Sequence, residues 1–192
     1  MAEPTTDKGP WGALGWGQVA LICTLLLALG AVAAFGVPAL QARATSDEAV
    51  ETLARLARRA AVYYVKPRGG AEGRAPCAFP VGYARTTLAA SCCDPSVAVA
   101  GTHRCDPDKL EWDKTVWNTL RFELDEPHAY IYEYRGEGEL GDARFELSAY
   151  ADLDCDGTFS TFRYVGQGDP RSRSDDCVLQ TVPVFTTHNV GE

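Results

Sequence analysis

TSDEAVETLARLARRAAVYY, residues 45–64, is the stretch on which the fold turns. Leu53, Leu56, Ala57, Ala60 and Tyr64 recur at steps of three and four, which predicts an amphipathic helix with one apolar stripe. Glu51 and Arg55 stand at i, i+4, the favourable order for an ion pair on a helix surface. Asp47 and Glu48 suit the start of such a helix, and Arg58 and Arg59 its later turns, because each sign opposes the nearer end of the helix dipole. Pro67, Gly69 and Gly70 end it. A stripe of this kind needs a partner surface further along the chain.

Upstream, residues 9–42 carry no Asp, Glu, Lys or Arg, and 19–40 are rich in Leu, Ala, Val and Ile. About 20 apolar residues suffice to cross a bilayer as a helix, so this segment reads as a membrane span. Joined to the striped segment it predicts one helix of about 45 residues and roughly 65–70 Å, kinked at Pro38. The first half would need lipid or identical neighbours around it. The rival reading is a cleaved signal peptide, since Ala31-Val32-Ala33 and Ala42-Arg43-Ala44 both have the small-x-small exit pattern. Lys8 is the only early basic residue and the apolar run is too long, so retention is the expectation. Arg43, Arg55, Arg58 and Arg59 would by charge alone keep the downstream part in the cytoplasm.

The cysteines argue the other way. Of seven in 192 residues, Cys23 lies in the apolar segment, while Cys77, Cys92, Cys93, Cys105, Cys155 and Cys177 lie beyond it. An even set of six reads as an oxidised, extracytoplasmic disulfide framework, with 15 possible connectivities. Zinc is the weaker alternative for Cys77, Cys92 or Cys93, Cys105 and His103, because no C-x2-C knuckle is present. With 18 basic against 26 acidic residues the net charge is −8, which argues against nucleic acid as a partner.

From residue 119 the apolar period switches to two. Leu120, Phe122 and Leu124 alternate with charge, AYIYEYR follows at 129–135, Phe145, Leu147 and Ala149 share one side of 144–152, and 158–165 is a fourth candidate. Four strands joined by tight turns predict an antiparallel meander with one face against the helical stripe, an α+β architecture. The segments are then 1–16, a leader-like piece; 17–42, the membrane-spanning half of the helix; 43–65, its amphipathic half; 66–118, a Cys-rich connection; 119–165, the meander; and 166–192, a disulfide-bonded tail.

Asp152, Asp154 and Asp156, followed by Gly157, match the D-x-D-x-D-G opening of a calcium loop, in which alternate carboxylates converge on one hard cation. Position twelve is Arg163, where such a loop carries a bidentate Glu; Asp175 and Asp176 would complete the site if Cys155 bonded Cys177. The plainer reading is an acidic turn fixed by a disulfide, and both stay open. No catalytic constellation emerges: His103, His128 and His188 are scattered, and there is no phosphate-binding glycine loop.

A single apolar helix carrying GVPALQARA and running into an amphipathic segment that ends in YY, then a cysteine-bearing loop, a meander and an acidic tail, resembles the type IV pilin and type II secretion pseudopilin family. DEPHAYIYEY (125–134) and SAYADLDCDGTFSTF (148–162) look especially like the heads of delta-proteobacterial pilin-like proteins. The resemblance covers about residues 17 to 165. It implies a non-enzymatic subunit of a helical fibre, a calcium site in the head, and single-pass anchoring in the inner membrane before assembly, with the head periplasmic or extracellular. Its partners would be membrane lipid, other pilin or pseudopilin subunits and the assembly machinery. Processing would fall at Gly15, Trp16 or Gly17, but Leu21 or Ala20 occupies the place of the family's glutamate, which points away from a major subunit. The rival is a membrane-anchored binding module that never polymerises; a third reading is a calcium-binding domain released after Ala44.

Overall fold

A computed structural model of the chain describes residues 16–31, 37–66, 77–180 and 184–189. The chain divides into two compact units, Met1–Ala42 and Arg43–Glu192.

In the first unit, helix α1 runs over Trp16–Ala31. Helix α2 spans Val37–Val65, with Pro38 in its first turn, where a missing N–H has no helical acceptor to lose. The expected single helix of about 45 residues is therefore corrected to two, of 16 and 29 residues. The membrane-spanning half is corrected with it. Sixteen residues rise only about 24 Å, short of the roughly 30 Å of a hydrocarbon core. Among the described residues no helix is long and apolar enough to cross a membrane, so the single-pass inner-membrane anchor falls. The stop signals Pro67, Gly69 and Gly70 lie outside the described residues.

The second unit is built on a five-stranded antiparallel meander in the order β1-β2-β3-β4-β5. Its strands are β1 (Gly82–Arg85), β2 (Ile131–Glu137), β3 (Arg144–Ala151), β4 (Ser160–Gln167) and β5 (Val184–His188). Four strands were expected, and one of those is not a strand. Residues Thr115–Leu120 form a short helix, α3, and Arg121 closes it with a left-handed backbone at φ 51°. Arg59 of α2 caps that end, donating to the Leu120 carbonyl at 3.2 Å and to the Arg121 carbonyl. β1 and β5 complete the sheet from the connection and the tail.

Register explains the core. Tyr134 pairs with Leu147 and Leu147 with Tyr164; Tyr132 pairs with Ala149 and Ala149 with Phe162. These residues share a face because strand side chains alternate with period two. That face packs on Leu53, Leu56, Ala57, Ala60 and Tyr64 of α2, all buried in one cluster with Phe79, Trp117, Tyr132, Tyr134, Phe145 and Leu147. Tyr64 stacks on Phe79 at 4.7 Å, and its hydroxyl meets the Leu140 carbonyl at 2.8 Å and Ser172 Oγ at 2.7 Å. Arg55 lays its guanidinium 5.6 Å from the Phe122 ring centroid. At Gly136 a Cβ would stand 2.1 Å from the Pro80 carbonyl oxygen, the same atom that accepts the Tyr134 hydroxyl at 2.8 Å. Only glycine admits that approach.

Behind the sheet a smaller cluster joins Ile131 to Cys92, Val97 and Cys105. Towards the other end, the same face carries Arg135, Glu137, Arg144, Glu146 and Arg163 around a shallow cavity. Arg144 pairs with Glu137 at 2.6 Å, and Arg163 pairs with Glu146. These are exposed ladders of opposite charge, worth little individually.

Candidate functional site

All six distal cysteines are paired, as Cys77–Cys177, Cys92–Cys105 and Cys93–Cys155. The Cys155–Cys177 bridge considered from sequence does not form. The vicinal pair instead works in two directions. Cys92 is buried and closes a local loop of 13 residues, whereas Cys93 reaches across 62 residues to the turn between β3 and β4. Oxidised sulfurs offer no thiolate, so the zinc alternative loses every cysteine ligand and is left with His103 alone. Cys23, exposed on α1, is the free thiol among the described residues.

The β3–β4 turn gathers the three aspartates singled out above. One carboxylate oxygen from each of Asp152, Asp154 and Asp156 lies within 4.8 Å of the others. Each carboxylate also accepts a loop N–H: Asp152 Oδ2 from Gly157 at 3.1 Å, Asp154 Oδ1 from Asp156 at 3.3 Å, and Asp156 Oδ1 from Thr158 at 2.6 Å. Left-handed backbone at Cys155 (φ 66°) and Gly157 (φ 91°) folds the turn tightly enough for this. Asp154 and Asp156 are exposed; Asp152 is only 7% exposed, and its Oδ1 is enclosed without a hydrogen-bond partner. Among the described residues, no Asp or Glu beyond these three joins the group. Asp175 and Asp176 sit instead by Cys177, in a turn where Asp176 donates its N–H to the Arg173 carbonyl at 3.0 Å. Arg163 faces Glu146 on the strands.

Sequence reasoning overlooked a second constellation. Glu48, on the buried side of α2, accepts the Ala129 N–H at 2.8 Å and pairs with Arg104 at 2.7 Å. Arg104 also donates twice to the Pro127 carbonyl, at 2.9 and 2.7 Å. His128 lies beside them, 3% exposed, with Nδ1 3.0 Å from the Glu126 carbonyl and Nε2 enclosed without a partner. Donation from Nδ1 leaves Nε2 as the bare nitrogen. Burial lowers the His128 pKa from its ordinary value; the Glu126 carbonyl and the Glu48 charge oppose that shift, and the Arg104 charge adds to it. DEPH reads as turn chemistry in sequence, and nothing in it announces the long-range partner Glu48.

The remaining positions are quickly placed. His103 and His188 are exposed. Trp16 and Gly17 open α1, and Gly15 lies outside the described residues. Comparison with protein-family models, with curated proteins and with solved structures finds no match to this chain.

Proposed function

We propose that this chain is a non-enzymatic minor subunit of a helical fibre of the type IV pilus or type II secretion kind. The observation that carries the reading is α1. Val19, Leu21, Ile22, Leu25, Leu26, Leu27 and Leu29 stand between 43% and 75% exposed, on every side of the helix. A helix apolar all round has no solvent face, and burying each such side chain is worth about 1.5–3 kcal/mol. Helices of neighbouring subunits offer that burial. The head supplies the other half of a fibre subunit, a helix-on-sheet body crossed by three disulfides. Its charge and disulfide content suit an oxidising exterior rather than a nucleic-acid surface.

The test is assembly of the full chain without detergent, followed by sedimentation velocity and negative-stain microscopy. Elongated multimers are expected for the wild type, and monomers for Leu25→Glu combined with Leu26→Glu. A wild-type chain that stays monomeric would remove the fibre reading. Mass spectrometry of chain recovered from cells tests processing near Gly15 to Gly17 in the same preparation.

A further inference from the structure

The three disulfides of the head do not meet solvent alike. Cys155 is exposed and Cys93 half-buried, whereas Cys77 is buried with Cys177 half-buried, and Cys92 and Cys105 are both buried. Thiol–disulfide exchange needs a thiolate to reach one of the two sulfurs, so access ranks the bonds in that order. The adjacent cysteines 92 and 93 thus belong to bonds of opposite character. Cys92 packs with Val97, Cys105 and Ile131, while Cys93 leaves that cluster for the β3–β4 turn.

We propose that Cys93–Cys155 is a redox-sensitive latch, opened by a dithiol reductant while the other two bonds stay closed, and that its opening releases the β3–β4 turn. The first thiolate of the reductant attacks the exposed Cys155 sulfur, forming a mixed disulfide and expelling the Cys93 thiolate. The second thiolate attacks the reductant's own sulfur in that mixed disulfide and expels the Cys155 thiolate. Two electrons pass: the dithiol becomes a disulfide, and its two protons end on Cys93 and Cys155. The reaction stops there. Neighbouring Cα atoms stand about 3.8 Å apart, short of the roughly 4.4–6.8 Å that disulfides span, so freed Cys93 does not bridge to Cys92. Cys105 is fully buried and offers it no sulfur to attack.

The latch holds a turn that would not hold itself. Cys155 has φ 66°, in the left-handed region that residues with a Cβ avoid. The turn's other ties are N–H bonds to the carboxylates of Asp152, Asp154 and Asp156, the last two exposed to water. Charge also selects the reductant. Asp154 and Asp156 flank Cys155, Asp94 adjoins Cys93, and among the described residues no Lys or Arg forms an ion pair with these three. An anionic thiol is repelled there, so the fitting partner carries its dithiol on a neutral or basic surface.

The experiment uses the full oxidised chain in mild detergent, with Cys23 blocked beforehand. Dithiothreitol is added under native conditions at mildly alkaline pH, and thiols are trapped with N-ethylmaleimide and located by peptide mass mapping. A species labelled at Cys93 and Cys155 alone accumulates, formed at least about tenfold faster than thiols at Cys77 and Cys177, with Cys92 and Cys105 last. In guanidinium the three bonds open at similar rates, since the order comes from the fold. Hydrogen exchange of the two-electron product is faster by at least about tenfold over residues 152–158 and unchanged over 97–105. At low ionic strength and equal thiolate concentration, cysteamine opens the latch at least about threefold faster than mercaptoethanesulfonate. Simultaneous loss of all three bonds, a different first cut, or a Cys93 bond to Cys92 or Cys105 overturns the latch. Unchanged exchange in the turn overturns its release, and equal rates with the two monothiols overturn the charge selection. None of these outcomes bears on fibre assembly, which the latch does not require.

Discussion

The Glu48 carboxylate accepts the Ala129 N–H at 2.8 Å, tying α2 to the chain just before β2. Ala129 is 6% exposed, so its N–H has no ready access to water if that acceptor is lost. Removing the partner of a buried donor costs about 1–3 kcal/mol. Glu48→Ala should therefore lower Tm by several degrees, at about 2–4 °C per kcal/mol for a chain of this size. Glu48→Gln keeps an acceptor and should cost less. Arg104, whose side chain is 43% exposed, contributes a screened ion pair and two exposed hydrogen bonds to the Pro127 carbonyl, which water can replace, so Arg104→Ala should cost less than Glu48→Ala, about 1 kcal/mol. Equal losses for Glu48→Ala and Arg104→Ala would show that the N–H bond is not the important half.

His128 makes the head sensitive to mild acid. Burial lowers its pKa in the folded state, while the unfolded chain keeps the ordinary value near 6.5. Below that value the unfolded state binds a proton that the folded state resists. Stability is therefore present above about pH 6.5 and is lost as pH falls towards the folded pKa, with a slope of at most about 1.4 kcal/mol per pH unit. Glu48 favours the imidazolium and Arg104 disfavours it, so Glu48→Gln should steepen the loss. Melting between pH 7.5 and 5 should show the decline, and His128→Asn, which retains a donor for the Glu126 carbonyl, should flatten it. A decline of the same slope in His128→Asn would assign it to other groups.

The disulfides should rank by the loop each closes. Cys77–Cys177 spans 100 residues and Cys92–Cys105 spans 13. Loop-closure entropy gives about 4.7 and about 3 kcal/mol respectively. Guanidinium midpoints of the two paired-serine variants should follow that order. Reversal would mean that packing around buried Cys92 outweighs chain entropy.

The buried stripe was legible in the sequence because steps of three and four leave Leu53, Leu56, Ala57, Ala60 and Tyr64 nowhere to go but inward. Strand β2 was legible too, its alternating tyrosines being hard to accommodate otherwise. Three alternating residues at Leu120, Phe122 and Leu124 were too few. Leu120 ends a helix, Arg121 turns left-handed, and Phe122 is pulled inward by Trp112 and Trp117, with ring centroids 5.7 and 5.4 Å away. Only tertiary contact, the Arg59 cap included, distinguishes that turn from a strand. β1 is four residues long and contains a glycine, so it carries no local signal. The aspartates at 152, 154 and 156 announced a possible cation site, but the burial of Asp152 and the bridge from Cys93 depend on contacts far apart in the chain.

The packing of α2 on the sheet gives the most direct test of the fold. Leu56 is fully buried, and truncating a buried leucine costs about 2–5 kcal/mol through lost transfer energy and the cavity left behind. Leu56→Ala should therefore remove a large part of the head's stability, whereas Val62→Ala, at a position 63% exposed, should change it by no more than about 0.5 kcal/mol. Leu53→Asp goes further. A carboxylate placed at this fully buried position within the apolar cluster gives up its hydration, so the helix must lift from the sheet or the side chain must protonate. Limited proteolysis should then cut between α2 and β1 well before the wild type is cut. Unchanged protease resistance in Leu53→Asp, with an unchanged Tm, would mean that the stripe does not hold the head together.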